Sequence, residues 1–388
     1  MPERGKKVYD VSITACADYS EKNVAEALVK ALEPIGGLDF VKPGMKIAIK
    51  ANLVSMMKPE TAATTHPAMI CALVKLLKER GADVVIGDSP GGLYTNAYLS
   101  GVYSATGMTL AEKAGAVLNR NFSEKTAQFE DAKVAKTFRY TAYLDDADAI
   151  ISFSKLKSHG MMGMSAAVKN QFGTIPGTVK PEYHFRFPSY DDFADMLIDL
   201  NEYFKPVLSI IDAVEGMEGN GPTMGDPRHI GAVIASKSPY MADLVGAKLI
   251  GLTADEVPTL KHAAMRGLAP ESADEISVCG NIDEFIVPDF KVIRQLRGMQ
   301  FQGENNKHKL RSFALEKLLS SKPVVTKSEC VGCRKCENIC PAKAITMKNK
   351  VPSIDRSKCI KCFCCQEFCP KGAMKAKRPF VAKLLDHD

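Results

Sequence analysis

The chain has 388 residues, 46% hydrophobic and 25% charged, the balance of a soluble globular protein with room for two or three domains. No apolar run approaches the ~18 residues of a bilayer span. The opening MPERGKKVYDVSITAC lacks the apolar stretch and cleavage site of a signal peptide, so a cytoplasmic protein without a membrane partner is expected.

Residues 1–290 alternate short β-rich runs with helical patterns. KKVYDVSITAC, MKIAIKANLV, ADVVIGDSP, AIISFSKL, PVLSIIDAV and IGAVIASK read as strands, most of them too apolar to leave one face in water. That suits a parallel sheet covered on both sides. Helices are expected at 21–33, 67–80, 189–204 and 239–250. In the second, Met69, Ile70, Leu73, Leu76 and Leu77 keep helical spacing. Thr65 or His66 stands at its cap, Pro67 enters the first turn and Gly81 ends it. The alternation predicts an α/β layered domain with a mostly parallel sheet. Residues 291–322 read as a polar connector with one helix near 307–320, and Pro323 opens a separate α+β tail, 323–388.

The net charge of +6 is uneven. From Lys322 to Asp388 there are 15 Lys and Arg against 6 Asp and Glu, and before that 36 against 39. Cysteine use is uneven too: of twelve, nine lie between 330 and 369, and only Cys16, Cys71 and Cys279 lie elsewhere. Clustered cysteines in a cytosolic chain are expected to ligate metal rather than form bridges.

Set above one another, CVGCRKCENICP (330–341) and CIKCFCCQEFCP (359–370) match at every ligand position after a shift of 29. The shared run is C-x2-C-x2-C-x3-C-P, and Cys364 is the extra cysteine. Zinc sites use C-x2-C pairs with a longer spacer, which this run fits badly. The tail resembles the two-cluster bacterial ferredoxins, in which the fourth cysteine of each run ligates the other cluster. That assigns one [4Fe–4S] cluster to Cys330, Cys333, Cys336 and Cys369 and the second to Cys340, Cys359, Cys362 and Cys365. Cys364 is left as a non-ligating thiol or a residue without a role.

In open parallel sheets ligands bind beyond the carboxyl ends of the strands. Those ends carry Lys50 and Asn52; Asp88; Lys155, Lys157 and His159; and Asp212, Glu215 and Glu218 with the glycines Gly219 and Gly221. Lys169 and Asn170 follow on a short helix. The lysines suit a small anionic substrate. The TTHPAM segment, with Thr65 and His66, adds free N–H groups at a helix start. His159, His184 or His66 could move a proton near neutral pH. Methionines in these loops (Met56, Met57, Met161, Met162, Met164, Met217, Met224) fit ordinary packing or an apolar substrate wall. No phosphate-binding loop and no dinucleotide fingerprint is present, so no nucleotide or flavin cofactor is indicated. No segment resembles a nucleic-acid module.

The segments IKANLV, TTHPAMICALVKLLKERGADVVIGDSP, KLKSHGMMGMSAAVKNQFGTIPG and DAVEGMEGNGPTMGDPR resemble the family known as domain of unknown function 362, over roughly residues 40–250. The resemblance implies that Lys50, Asn52, Thr65, His66, Asp88, Lys155, Lys157, His159, Lys169, Asn170, Asp212, Glu218, Gly219, Gly221 and Pro222 occupy the family's recurring positions. Ser158 stands where threonine is expected, which keeps the hydroxyl. MMGM replaces a segment expected to carry one.

Three functions are compatible with these residues. In the first, electrons relayed by two [4Fe–4S] clusters reduce a small anionic substrate held by Lys155, Lys157 and Lys169, as in a ferredoxin-linked oxidoreductase. A basic tail would draw in an acidic ferredoxin or flavodoxin as donor. In the second, the chain is a non-catalytic electron-transfer subunit that docks a redox partner enzyme. The third is a carrier that delivers clusters or metal, which crossed ligation disfavours. Anaerobic purification is expected to give about eight irons per chain. Cys364→Ser should leave the iron content unchanged, and Cys365→Ser should lose a cluster.

Overall fold

The computed structural model describes residues 8–294 and 321–377. The helix expected near 307–320 lies outside the described residues. The strands of the large domain are β1 (Val11–Ala15), β2 (Lys46–Lys50), β3 (Asp83–Gly87), β4 (Val117–Leu118), β5 (Glu124–Gln128), β6 (Thr137–Thr141), β7 (Ala149–His159), β8 (Gly163–Ser165), β9 (Leu208–Glu218), β10 (Asp226–Ser236) and β11 (Val278–Cys279). One sheet runs β11-β1-β10-β9-β7-β2-β3-β4, with β8 paired on β7, while β5 and β6 form a separate hairpin.

The expected parallel arrangement holds from β9 through β7, β2 and β3 to β4. At the other end β10 runs antiparallel to both β9 and β1. The cause is the connection: β10 returns from β9 through the short 219–225 loop, and only a crossover of a dozen or more residues makes neighbours parallel. An apolar run such as IGAVIASK reads alike in either direction, so this part of the topology was hidden in the sequence.

Helices cover both faces. They are α1 (Glu21–Leu32), α2 (Pro67–Glu79), α3 (Asn96–Ala105), α4 (Leu110–Lys113), α5 (Ala167–Asn170), α6 (Lys180–Arg186), α7 (Tyr190–Phe204), α8 (Pro239–Leu249) and α9 (Pro258–Met265). α1 and α2 press Val24, Leu28, Leu73 and Leu77 against Ile47, Ile49 and Ile151 of the sheet. On the opposite face α8 and α9 press Val245, Leu249 and Leu260 against Leu156, Ile211 and Ile234. Each such side chain contributes roughly 1.5–3 kcal/mol on burial. At the start of α2 it is His66 that caps, its Nδ1 accepting from the Ala68 N–H at 3.2 Å. Thr65 instead ties the sheet together, accepting from the Asn52 N–H at 3.0 Å and donating to the Phe153 carbonyl at 2.8 Å.

The tail comprises β12 (Lys322–Val325), α10 (Lys335–Ile339), β13 (Ile345–Lys348), β14 (Val351–Ile354), α11 (Cys364–Glu367) and β15 (Met374–Lys377). β12 pairs with β15 and β13 with β14, both antiparallel. The 29-residue repeat extends to the backbone. Gly332 and Lys361, Arg334 and Phe363, and Lys343 and Gly372 are repeat partners, and all six have left-handed φ between +50° and +69°. Four of them carry side chains that disfavour this conformation by roughly 1–2 kcal/mol each. Strain kept at matching positions marks loops shaped for a shared purpose.

A charge network locks α7 to α9. His262 places Nε2 3.1 Å from Asp191 Oδ1 and Nδ1 3.0 Å from Asp195 Oδ2. Arg266 pairs with Asp199 at 2.9 Å. The bonds to Asp191 and then Asp195 hold the His262 imidazolium up to about 9, against the opposing effect of burial. A raised folded-state value means that this stabilisation is complete below pH ~6.5 and is lost as pH climbs through about 9. The anaerobic melting temperature of the native chain is therefore expected to fall over that interval relative to His262→Gln; parallel curves for the two proteins would refute the assignment.

Candidate functional site

The tail carries two hollows, each ringed by four sulfurs. One, of about 350 Å³, is lined by Cys330, Cys333, Cys336 and Cys369 together with Arg334, Lys335 and Lys371. The other, of about 330 Å³, is lined by Cys340, Cys359, Cys362 and Cys365, with Cys364, Phe363 and Lys361 beside them. The fourth cysteine of each run thus reaches across to the hollow of the other. None of the twelve cysteines is in a disulfide. Each hollow is lined by the four cysteines that the spacing assigns to one cluster, a donor set that suits a cubane.

The rings differ in exposure. Cys333 and its neighbours Arg334 and Lys335 face solvent. Cys362, Phe363, Cys364 and Cys365 are buried because α11 lies on the large domain. Gln366 Nε2 donates to the Asn220 carbonyl (3.1 Å), Asn220 Oδ1 (2.8 Å) and the Gly221 carbonyl (3.0 Å). The Ala376 N–H adds a bond to Asn220 Oδ1 at 3.2 Å. Phe363 enters a core built largely from α6, α7 and the β5–β6 hairpin.

Beneath α11 lies the far end of β7. Residues two apart on a strand share a face, so Lys155, Lys157 and His159 point together, and all three are buried. The sequence placed them, and Asp212, beyond strand ends. In the structure β7 runs on to His159 and β9 past Asp212, because each strand continues into a pairing that its polar residues disguise, and Lys155 lies in register with Asp212. Lys155 Nζ contacts Asp212 Oδ2 at 3.0 Å and the Tyr19 hydroxyl at 2.6 Å. Asp212 also accepts from Tyr19 (2.9 Å) and from the His66 N–H (3.0 Å). Lys50 makes the parallel arrangement, 2.8 Å from Asp88 Oδ1 and 3.0 Å from Asn170 Oδ1. Burial pushes both ammonium groups down, and the carboxylates oppose it.

Lys157 has neutral partners only, Asn52 Oδ1 at 2.6 Å and the Ala63 carbonyl at 2.7 Å. Burial, reinforced by the Lys169 charge, pushes it well below the usual lysine range. His159 Nδ1 accepts from the Met161 and Met162 N–H groups at 3.0 and 3.1 Å. That leaves the ring proton of the neutral form on Nε2, which stands 3.1 Å from Glu367 Oε1 of α11 at an angle outside hydrogen-bond alignment. Burial, then Lys169, lowers His159 to about 4. Burial alone would raise Glu367, but Lys169 and then His159 bring it down to about 2. The pair is therefore a neutral imidazole facing a carboxylate at pH 7. His184, stacked on Phe193 at 4.4 Å, keeps a buried Nδ1 without a hydrogen bond.

The structure thus gathers Lys50, Asn52, Asp88, Lys157 and Asn170 into one bonded set, Lys155, Asp212 and His66 into another, and His159 and Lys169 under the tail. Thr65 and Glu218 are held in structural bonds, Glu218 by the Lys291 N–H (3.1 Å) and ammonium (3.0 Å). Gly219 accepts from Ser158 Oγ at 3.0 Å. Gly221 was expected to let backbone approach a ligand. Here its missing side chain admits the Ser158 carbonyl, which a Cβ would meet at 2.1 Å. Sequence reasoning missed Tyr19, Asn220, Gln366 and above all Glu367. The available signal for Glu367 was a difference between the repeats, an acid where the first run has Asn338.

Compared with known proteins, residues 329–373 match the family described as "4Fe-4S dicluster domain". The fold and the cysteine-ringed tail therefore define an iron–sulfur protein of the electron-transfer class. Residues 47–248, just over half of the chain, match "Domain of unknown function (DUF362)", and the chain belongs to that family. A thylakoid-associated protein of Synechocystis sp. is 30% identical over 302 residues, 76% of this chain and 91% of that protein. Among solved structures, the lactate racemase apoprotein of Thermoanaerobacterium thermosaccharolyticum superposes with a TM-score of 0.39 and 13% identity, over 63% of this chain and 58% of that one. A Thermotoga maritima protein gives 0.36 and 13%, over 59% and 58%. Among the described residues no helix is long and apolar enough to cross a membrane.

Removing one partner of a buried ion pair strands the other charge. Asp212→Ala is expected to cost about 3–5 kcal/mol in an anaerobic denaturant titration, with Asp212→Leu/Lys155→Met recovering much of it. A loss under about 1 kcal/mol for the single variant would show the pair to be solvated.

Proposed function

We propose that this protein is a ferredoxin-linked oxidoreductase, using electrons relayed by two [4Fe–4S] clusters on a small anionic substrate in the site beneath the tail. Cys330, Cys333, Cys336 and Cys369 hold one cluster, and Cys340, Cys359, Cys362 and Cys365 the other. Each, when bound, supplies a one-electron carrier. The observation that carries the reading is the reach of α11: the turn that bears Cys365 also brings Glu367 to 3.1 Å from His159. That contact joins the turn of the second ring to the end of β7.

The chain's own groups suit the two ends of such a path. At the outer ring, exposed Cys333 sits among Arg334, Lys335 and Lys371, a rim that attracts an acidic ferredoxin or flavodoxin and speeds encounter more than it tightens binding. At the inner end, Lys157 offers a buried amine with neutral partners only, which an arriving anion would hold in its ammonium form, and His159 offers an N–H of fixed direction. A reducing compartment such as the cytoplasm keeps the ligand thiols unbridged.

One observation favours a second reading, an electron-transfer subunit for a partner enzyme: Lys50 and Lys155 are already neutralised by Asp88 and Asp212 and need no external anion. Stopped-flow reoxidation separates the two. Reduced protein mixed with a panel of small carboxylates and phosphates is expected to reoxidise faster with at least one of them, and Lys157→Gln or His159→Gln should abolish the acceleration while retaining all iron. If no anion accelerates reoxidation, the subunit reading stands. Separately, Lys335→Glu with Lys371→Glu should slow reduction by an acidic ferredoxin about tenfold at low salt, the difference closing at high salt.

A further inference from the structure

Lys157 is 1% exposed, so something must move before a substrate can reach it. Both of its hydrogen-bond partners belong to the segment between β2 and α2. Asn52 stands where that segment leaves β2, and Ala63 where it returns toward α2. The Asn52 Oδ1 and the Ala63 carbonyl accept from Lys157 Nζ at 2.6 and 2.7 Å. The Thr65 N–H donates to the Asn52 carbonyl at 3.0 Å. The two ends of the segment therefore meet, and the residues between them form a closed surface loop. None of residues 54–61 is buried, whereas Leu53 and Ala62 on either side of them are.

The loop is also strained at both ends. Val54 has φ +54°, a region that a β-branched side chain strongly disfavours. The Ser55 N–H donates to the Leu53 carbonyl at 2.5 Å, which makes Val54 the centre of a γ-turn of the rare, strained hand. Ala62, at the other end, has φ +52°. The Val54 carbonyl accepts from the Gly91 N–H at 2.7 Å, and the Met56 methyl rests against Gly101. Gly91 is covered in turn by the tail, since a Cβ there would meet the Phe368 ring at 3.1 Å. The loop therefore borders the junction between the large domain and the tail.

We propose that the 53–62 loop is the door through which substrate reaches the buried face of β7, and that Lys157 is its latch. Closed, the Lys157 side chain ties both ends of the loop at one point. Strain at Val54 and Ala62 works against that closure. The open loop exposes Lys157, and an anion that binds it competes with Asn52 and Ala63, holding the loop open. One residue then both closes the site and receives what enters, so a neutral molecule has nothing with which to displace the latch. The assignment deepens the proposed function and rests on its choice of Lys157 as the group that meets the anion.

Hydrogen exchange and reductive methylation by formaldehyde with cyanoborohydride, both read by peptide mass spectrometry on the anaerobically purified full-length protein, test it. Asn52→Ala removes one end of the latch. It should speed exchange of 54–62 and methylation of Lys157 about tenfold each, leaving exchange in α2 and methylation of Lys155 as they were. Val54→Gly relieves the closed loop and should slow both processes about threefold, where loss of a side chain from a merely structural loop would speed them. Lys157 methylation rising without faster loop exchange, exchange rising equally in α2, or Val54→Gly speeding either process overturns the proposal. Should the variants fail to fold, the unmodified protein decides: in sub-denaturing urea, Lys157 methylation and 54–62 exchange must rise in parallel and ahead of α2. Divergence of the two also overturns it. These readouts need no added anion, so their outcome is independent of the stopped-flow result that decides the function.

Discussion

The structure turns on how charge is answered where water is excluded. An unpaired ion in a protein interior costs several kcal/mol, and the end of β7 brings two lysines and a histidine into such a place. Lys155 is answered in register by Asp212, and Lys50 by Asp88 across the crossover to β3. These pairs pin β7, β9, β2 and β3 to one another at their polar ends, where apolar packing alone would leave them free to slip. What remains unanswered within the large domain is the cationic and N–H character of Lys157, Lys169 and His159. The tail meets it with the carboxylate of Glu367, 3.1 Å from His159.

Seen this way, docking of the tail and formation of the buried site are a single event. Gln366 reads the backbone of the 219–221 loop, Phe363 fills an apolar socket, and Glu367 faces His159. Each belongs to the second cysteine run, and none has a counterpart in the first. The two copies differ according to what each touches: arginine and lysine where one meets water, phenylalanine and cysteine where the other meets the large domain. The exposed ring and the enclosed ring then have unequal environments.

Much of this was legible beforehand, for identifiable reasons. Strands in the covered sheet are continuous apolar runs, and the helices 21–32, 67–79, 190–204 and 239–249 carry caps, prolines and amphipathic spacing that depend on neighbours in the chain alone. The cysteine code was clearest, since spacing within each run decides which thiols can share a face. Less legible were the antiparallel return of β10 and the full lengths of β7 and β9. There the pattern of apolar residues is the same for both directions, or polar residues occur inside a strand because they meet partners from elsewhere.

By itself the sequence determined the layered α/β class, the separate basic tail and the repeat of 29 residues. All of these depend on local periodicity or on composition along the chain. Only the tertiary structure decided that Lys155 opposes Asp212, that Gly221 makes room for the Ser158 carbonyl, and that Glu367 faces His159 beneath the tail. Those contacts join residues separated by 57 positions in the nearest case and by about two hundred in the furthest. Distances of that kind are set by how layers pack and domains dock, and no spacing within a run encodes them.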